Sequence, residues 1–227
     1  MTDRPGVYIV QRAQAQPDLS CWNSGSWDRA QMLRLANVFS RSSEHRPDTR
    51  VRLLYDDEGL YGMFKVEDRY VRAIHCGNQE PVCLDSCVEF FVQPAGVTGY
   101  LNFEMNCGGA LHCSHVRDHR REPNGFADYT MLSESQLHMV RRQSSLPARV
   151  DPEITDPTTW TMGFFIPVGL FESIYPELDG VTWEGQRWHA NFYKCADHTS
   201  HPHWISWRPI PELDFHRPDC FGELHFA

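Results

Sequence analysis

Short segments with an apolar residue at every second position are the feature that most constrains the fold of this chain. Aromatic and β-branched residues fill these segments, and Gly, Pro, Asp or Asn stand between them. Such segments are typical of β-strands, and many short strands with turns between them predict a sandwich or a barrel. The clearest are CVEFFVQP (87–94), GYLNFEMN (99–106), TWTMGFFIPV (159–168), RWHANFYKC (187–195), HWISWRP (203–209) and FGELHF (221–226).

A hairpin and a single all-β domain are the next expectations. The stretch VRLLYDDEGLYGMFKV (51–66) places two apolar runs around an Asp-Asp-Glu-Gly turn, which is typical of a β-hairpin. No segment has the composition of a linker, so the 227 residues predict one domain over 1–227. Residues 27–39 fit a helix and a strand equally well, while 117–124 and 144–158 are expected to be surface loops.

Charge and composition exclude several classes of partner. The formal net charge of -9 disfavours binding to nucleic acid, and no apolar run approaches the ~18 residues of a membrane span. The start of the chain has no signal-peptide core, so a cytoplasmic location is expected, or an extracellular or periplasmic one if a leader was removed. The eight cysteines form no C-x-x-C pair and are expected to be mainly reduced thiols. The composition leaves the oligomeric state open.

Strand alternation divides three of these segments into an apolar face and a polar face. The apolar face carries Val88, Phe90, Val92, Leu101, Phe103, Met105, Cys107, Trp188, Ala190, Phe192 and Lys194. The opposite face carries Cys87, Glu89, Phe91, Gln93, Tyr100, Asn102, Glu104, Asn106, Arg187, His189, Asn191 and Tyr193. Because acids, amides, His and Tyr recur on three strands, the second face predicts a specific binding surface rather than an ordinary solvated one.

The polar face has the composition of a saccharide site. Carboxylates and amides hydrogen-bond pairs of hydroxyl groups, and an aromatic ring stacks on the apolar face of a pyranose. Trp207 is expected to supply that ring, with Trp204 as the alternative, and Glu89 and Glu104 are expected to accept hydroxyl hydrogen bonds. The polar wall is expected to be completed by Asn106, Asn191 and Tyr193.

Six segments in order carry a resemblance to a known family: LDSCVEFFVQP, GYLNFEMNCGGAL, TWTMGFFIPVGLF, GQRWHANFYKCAD, HWISWRP and HRPDCFGELHF. Together they resemble carbohydrate-binding module family 9 and its stand-alone relatives, within the wider group of β-sandwiches that includes DOMON and cytochrome-type haem domains. The resemblance extends from about residue 27 to 226. It implies an all-β, two-sheet antiparallel β-sandwich of immunoglobulin-like or jelly-roll-like type. It also implies non-catalytic saccharide binding and structural calcium.

The resemblance also assigns individual positions. Glu89 in DSCVEFF matches the family's sugar-binding acid, and Trp207 in ISW matches one of its two stacking tryptophans. The other tryptophan is expected just before the DSCVEFF segment, where this chain has EPVCLD with Val82. The basic residue that the family places on the next strand is Glu104 in this chain. These two differences concern the family's glucan specificity and leave the sandwich and the face assignment intact.

An enzymatic hypothesis remains open beside the binding hypothesis. Glycoside hydrolases use two carboxyl groups that lie ~5 to 9.5 Å apart. Neighbouring strands lie ~4.8 Å apart, so Glu89 and Glu104 on one face would reach that range. The residues thus also permit a hydrolase that acts on a glycan.

Metal and haem hypotheses remain open as well. Oxygen ligands for calcium are expected in the acidic turn and beyond the hairpin, at Asp56, Asp57 and Asp68. Two histidine groups permit a transition metal, namely His112, His115 and His119, and His198, His201 and His203. A redox domain with haem would need an axial pair such as Met105 or Met63 with His189, although no C-x-x-C-H motif is present.

Overall fold

The computed structural model describes residues 6–227 and consists mainly of β-strands. The strands are β1 (Val7–Arg12), β2 (Leu33–Arg34), β3 (Asn37–Val38), β4 (Asp48–Tyr55), β5 (Gly59–Asp68), β6 (Val71–Ala73), β7 (Cys87–Gln93), β8 (Tyr100–Asn106), β9 (Leu111–His112), β10 (Ser114–Glu122), β11 (Gly125–Met131), β12 (Arg141–Ser144), β13 (Val150–Ile154), β14 (Thr158–Pro167), β15 (Arg187–Cys195), β16 (Trp204–Ser206) and β17 (Gly222–Phe226). The helices are α1 (Glu134–Met139) and α2 (Val168–Ile174), with 3₁₀ turns at Gly25–Trp27, Val82–Leu84, Pro176–Leu178 and Pro218–Cys220.

Two sheets form the layers of a sandwich. The first has the order β11-β10-β8-β7-β15-β17-β1, and the second has the order β1-β4-β5-β14-β12. Strand β1 belongs to both sheets, because residues 7–10 pair with β17 and residues 11–12 pair with β4. These two pairings are parallel, whereas the remaining pairings are antiparallel. The predicted all-β, two-sheet sandwich is confirmed, with β1 as a parallel exception.

The core lies between the two sheets and contains the apolar face predicted from strand alternation. Phe90 of β7 packs against Phe164 of β14 with ring centroids 5.9 Å apart. Phe192 of β15 packs against Phe64 of β5 at 6.1 Å. All four rings are completely buried. Since the transfer of each such side chain out of water contributes ~1.5–3 kcal/mol, these facing rings hold the layers together.

The predicted hairpin is confirmed, with all of β4 paired to residues 60–67 of β5. The ambiguous segment 27–39 forms no α-helix; β2 and β3 lie there instead, and Met32 is half exposed while Leu35 is buried. The two predicted loops were partly wrong. Residues 117–124 form the tip of the β10–β11 hairpin, and 144–158 contains β13, because backbone pairing to a neighbouring strand outweighed the local turn residues.

The expectations about the cysteines and about membrane spans can be compared with the described residues. All eight cysteines are free thiols, in agreement with the reduced state expected from their spacing. Neither α-helix is long and apolar enough to cross a membrane.

Candidate functional site

Glu89 and Glu104 lie directly opposite each other on adjacent strands. Glu89 in the middle of β7 pairs in register with Glu104 of β8. Tyr193 of β15 is the partner of Glu89 on its other side, so the row continues across the sheet. Because side chains alternate along a strand, both carboxyl groups point away from the core. The predicted face assignment of the two glutamates is confirmed.

A cavity of about 330 Å³ lies over the two carboxyl groups. Asp197 and Trp204 line it from the end of β15 and from β16, and residues 213–216 line it from above. Its volume lies near the lower end of the ~300–1,000 Å³ range of small-molecule sites. The cavity therefore has room for a short saccharide.

Both carboxyl groups are buried, and this changes their acidity. Glu89 is 2% exposed and Glu104 is 7% exposed. Burial and the negative charge of Glu104 raise the pKa of Glu89 well above its ordinary value. Burial raises the pKa of Glu104 to about 7, although a hydrogen bond of 2.8 Å from Asn102 Nδ2 opposes the rise. This part of the polar face is thus a buried, acidic lining of the cavity and not a solvated surface.

Residues 208–221, here called the covering segment, close the polar face from above. The phenol of Tyr193 donates to the carbonyl of Phe215 at 2.9 Å, and the two rings stack with centroids 4.1 Å apart. Asn191 accepts from the Arg208 amide at 2.9 Å and donates to the Arg208 carbonyl at 3.2 Å. The prediction that Asn191 and Tyr193 contact the ligand is therefore corrected, because their polar atoms hold the covering segment.

The two candidate tryptophans lie on opposite sides of the sheet. Trp204 pairs with Cys195 in β16 and lies on the polar face, where it lines the cavity. Trp207 is 9% exposed and packs in the core against Phe192, with ring centroids 5.7 Å apart. The expected stacking role of Trp207 is corrected on this geometry, since its faces are covered by core residues.

The side chain of Asn106 is also hydrogen-bonded within the fold. Its side chain donates to the His75 carbonyl at 2.7 Å and to Asp85 Oδ2 at 2.8 Å. Its Oδ1 accepts from the amides of Gly108 and Ala110 at 3.1 and 3.0 Å. Because each polar atom is already paired in the turn after β8, Asn106 is removed from the predicted saccharide wall.

The three carboxyl groups expected to bind calcium cannot share one ion. Asp56 and Asp57 lie in the turn before β5, and Asp68 is the last residue of that ten-residue strand. At ~3.3 Å per residue, the strand separates them by roughly 30 Å. Asp56 accepts from the amides of its own turn, and Asp57 pairs with Arg12. The described residues therefore do not fit the expected calcium site.

A comparison with family models matches residues 26–226 to carbohydrate-binding family 9. The chain belongs to carbohydrate-binding family 9. The resemblance seen in its six strand segments is thereby confirmed, and so is carbohydrate binding as its class of function.

Solved structures agree with the family-9 fold. A protein from Bacteroides uniformis, to which carbohydrate binding is provisionally assigned, is 30% identical, with a TM-score of 0.82 over 97% of this chain and 99% of that chain. A family 9 module from Caldicellulosiruptor kristjanssonii in complex with glucose is 13% identical, with a TM-score of 0.62 over 96% and 95% of the two chains. The same organism's module in complex with cellotriose gives 13% and 0.62 over 97% and 93%. A comparison with curated protein sequences finds no match.

This family 9 module carries one group of possible metal ligands among its described residues. Ligand atoms of Cys87, Glu89 and Cys195 all lie within 4.8 Å of one another. The two predicted histidine groups do not converge in this way. His203, for example, pairs with Lys194 at 2.7 Å, and His201 stacks on Tyr70 with ring centroids 3.5 Å apart.

The axial pair expected for haem is not brought together. Met105 is completely buried between the sheets, and Met63 belongs to a separate cluster that surrounds Trp22 and Trp27. His189 is exposed on the opposite face of β15. Met105 and His189 therefore lie on opposite sides of the first sheet, and Met63 belongs to the second sheet, so the haem hypothesis is not supported.

A buried charged network was missed by the sequence-based interpretation. Lys194 Nζ donates to His203 Nε2 at 2.7 Å and to the Cys195 carbonyl at 2.9 Å, and it lies 3.5 Å from Asp68. Asp68 also contacts His45 at 2.7 Å. Burial alone raises the pKa of Asp68, but the Lys194 ammonium and His45 hold it below its ordinary value. Alternation placed Lys194 on the apolar face, which was the available signal for a buried partner.

Proposed function

We propose that this chain binds a saccharide, without catalysis, in the cavity over Glu89 and Glu104. The observation that carries the proposal is that these two acids and Trp204 meet in one cavity of a family 9 chain. The carboxyl groups would hydrogen-bond hydroxyl groups, and the Trp204 ring would pack against a sugar ring. The other members of the predicted wall act indirectly, since Asn191 and Tyr193 hold the covering segment that closes the cavity.

The electrostatics of the cavity support binding rather than hydrolysis. A glycoside hydrolase separates the roles of its two carboxyl groups, with one kept protonated and the other kept ionised. Here burial raises the pKa of both Glu89 and Glu104, so neither group is held as the ionised partner. Both groups can therefore donate and accept hydrogen bonds with ligand hydroxyl groups.

Trp204 is held in place as the aromatic wall. Its indole nitrogen donates to Asp197 Oδ1 at 2.7 Å, and its backbone amide donates to Ser42 Oγ at 3.0 Å. Both N–H groups are therefore already paired within the protein. The ring also lines a second cavity of about 450 Å³ beside β3. An aromatic side chain that is fixed before binding loses little conformational entropy when the ligand stacks on it.

Replacement of Trp204 by alanine tests the proposal. We expect the affinity for the best-bound sugar to fall about 30-fold, or roughly 2 kcal/mol, because a central aromatic contact is lost. The affinity is measured by calorimetric titration with glucose, cellotriose and a panel of other mono- and oligosaccharides. Trp204→Phe is expected to retain most of the binding, since an aromatic ring remains.

Trp22→Ala is the matched control for that experiment. Trp22 is 8% exposed and lies in a separate cluster beneath Arg52, whose guanidinium is 4.4 Å from its ring. Its loss should leave the affinity unchanged in the folded protein. Failure of every sugar in the panel to bind would contradict the proposal. Release of reducing sugar that disappears in Glu89→Gln would show instead that the chain is a hydrolase.

A further inference from the structure

We propose that the cavity over Glu89 and Glu104 selects a saccharide that carries an ammonium group, that is, an amino sugar. This inference rests on the proposed function, because it specifies which class of saccharide the same cavity binds. Three observations support it: the excess of acidic over basic side chains around the cavity, the absence of a basic partner for its two central acids, and the protonated thiols beneath them.

Acidic groups outnumber basic groups around the cavity. The lining contains one guanidinium, from Arg121, and four carboxyl groups, from Glu89, Glu104, Asp197 and Asp214. Arg121 Nη2 already donates to Asp214 Oδ1 at 2.7 Å. Three carboxyl groups therefore have no basic partner in the lining. A cavity whose ionisable groups are mostly acids favours cationic ligands over anionic ones.

The histidine in the lining adds no positive charge. Burial lowers the pKa of His216 to about 3, and the nearby Arg121 guanidinium acts in the same direction. Its Nδ1 lies 2.8 Å from the phenol oxygen of Tyr100. His216 is therefore a neutral side chain over most of the pH range. It helps to hold the covering segment, and it cannot offset the acids below it.

The two central carboxyl groups lack a basic partner in the described chain. Oε1 of Glu89 accepts only from the Cys195 thiol at 3.1 Å, and Oε1 of Glu104 accepts from Asn102 at 2.8 Å. The second oxygen of each group has no hydrogen-bond donor among the described residues. Lys194, although on a neighbouring strand, is committed to Asp68 on the core side of the sheet.

A ligand ammonium would satisfy these oxygens. It supplies three N–H donors, and hydrogen bonds between ionised partners are shorter and stronger than those between neutral ones. A buried carboxyl group without a partner is costly in its charged form, so a cation that enters the cavity gains more than a neutral hydroxyl does. A sugar carboxylate would instead find no unpaired basic group in the lining.

A metal ion fits the same cavity less well. Cys87 and Cys195 would have to lose their protons to bind it. Burial raises the pKa of the Cys87 thiol to about 12, and the Cys195 thiol donates a hydrogen bond to Glu89. Two thiolates beside two carboxylates would place four negative charges in a buried space. An ammonium requires only the carboxyl groups to ionise.

The test compares four sugars of the same ring size: one cationic, two neutral and one anionic. D-glucosamine, D-glucose, N-acetyl-D-glucosamine and D-glucuronate are titrated calorimetrically into the full chain, after dialysis against a chelator. A pH of about 6.5 keeps the amine protonated, since an amine of this type has a pKa near ~7.7–8.0. We expect glucosamine to bind at least about tenfold more tightly than glucose, and glucuronate to bind most weakly.

Glu104→Gln is the diagnostic variant, because its amide cannot ionise beside a bound ammonium and it preserves the shape of the side chain. We expect it to lower the ratio of glucosamine to glucose affinity about tenfold, because losing the carboxyl group weakens the contact with an ammonium more than the contact with a hydroxyl group. Glu212→Gln is the matched control: it makes the same substitution at an exposed position in the covering segment, where Glu212 pairs with Arg217. The control should keep the wild-type ratio.

The outcomes separate this inference from the proposed function. Sugars that bind with no preference for glucosamine, or with a preference for glucuronate, overturn the inference alone. Failure of all saccharides to bind overturns the proposed function and the inference together. A stoichiometric divalent ion in the purified protein, whose removal rather than Glu104→Gln changes saccharide affinity, would identify the cation of the site as a metal and overturn the inference.

Discussion

Replacement of Lys194 by methionine is expected to lower the free energy of unfolding by about 3–5 kcal/mol, because it leaves Asp68 buried without its ammonium partner. Both side chains are completely buried, and Lys194 Nζ lies 3.5 Å from the Asp68 carboxylate. Methionine is close in length to lysine and fills most of the space. The loss therefore comes from electrostatics and hydrogen bonding rather than from a cavity.

The network around the ammonium explains the size of this effect. The His203 ring donates through Nδ1 to the His201 carbonyl at 2.8 Å, so Nε2 is free to accept from Lys194. Burial and the Lys194 charge lower the pKa of His203 to about 3, which keeps this ring neutral. When Lys194 is removed, His203 Nε2 loses its donor and Asp68 loses its oppositely charged partner inside the protein. An unsatisfied buried group costs ~1–3 kcal/mol, and a charged one costs more.

Urea-induced unfolding at neutral pH provides the measurement, with Lys65→Met as its control. Lys65 pairs with Glu67 at 3.3 Å on the surface, where such a pair contributes ~0–1 kcal/mol. We also expect the double variant Lys194→Met, Asp68→Asn to be more stable than the sum of the two single losses, because both charges are gone. A Lys194→Met variant as stable as Lys65→Met would contradict the interpretation.

Replacement of Glu104 by glutamine is expected to stabilise the protein at alkaline pH. The pKa of Glu104 rises from 4.5 to about 7 on folding, mainly because the group is buried. Between these two values the native state binds more protons than the unfolded state, so wild-type stability falls as the pH increases through this window. A rise of this size corresponds to about 3 kcal/mol once the pH exceeds the folded value.

Glutamine removes that dependence because it does not titrate, and its carbonyl oxygen can still accept from Asn102. We expect Glu104→Gln to match the wild type near pH 4 and to exceed it by up to about 3 kcal/mol near pH 8. Urea unfolding at a series of pH values measures the difference. Glu212→Gln, at an exposed site, should follow the wild-type curve throughout. A Glu104→Gln curve parallel to the wild type would refute the burial argument.

The face assignment is where the sequence was most informative. Alternation of side chains placed Glu89 and Glu104 opposite the core residues Phe90 and Phe103, and the strand pairing agrees. The same rule separates Trp204 from Trp207, which are three residues apart and therefore lie on opposite faces. The resemblance favoured Trp207, whereas alternation in β16 would have favoured Trp204. The local rule agrees with the observed faces of the two tryptophans because it follows from backbone geometry.

Ligand contacts could not be predicted in this way. Asn106, Asn191 and Tyr193 have the residue types of a saccharide wall, yet each of them bonds to backbone groups of the fold. Residue type indicates which hydrogen bonds a side chain can make. It does not indicate whether the partner is a ligand or another part of the folded chain. The partner of Asn191 and Tyr193 is the covering segment, whose path over the sheet has no periodic signal in the sequence.

By itself, the sequence determined the all-β class, the division of the central strands into two faces and the position of both glutamates on one of them, because these follow from an alternation of period two. Only the tertiary structure decided that this face is covered, that it encloses an acidic cavity beside Trp204, and that Lys194 meets Asp68 in the interior. These features depend on contacts between residues far apart in the chain, which no local pattern encodes.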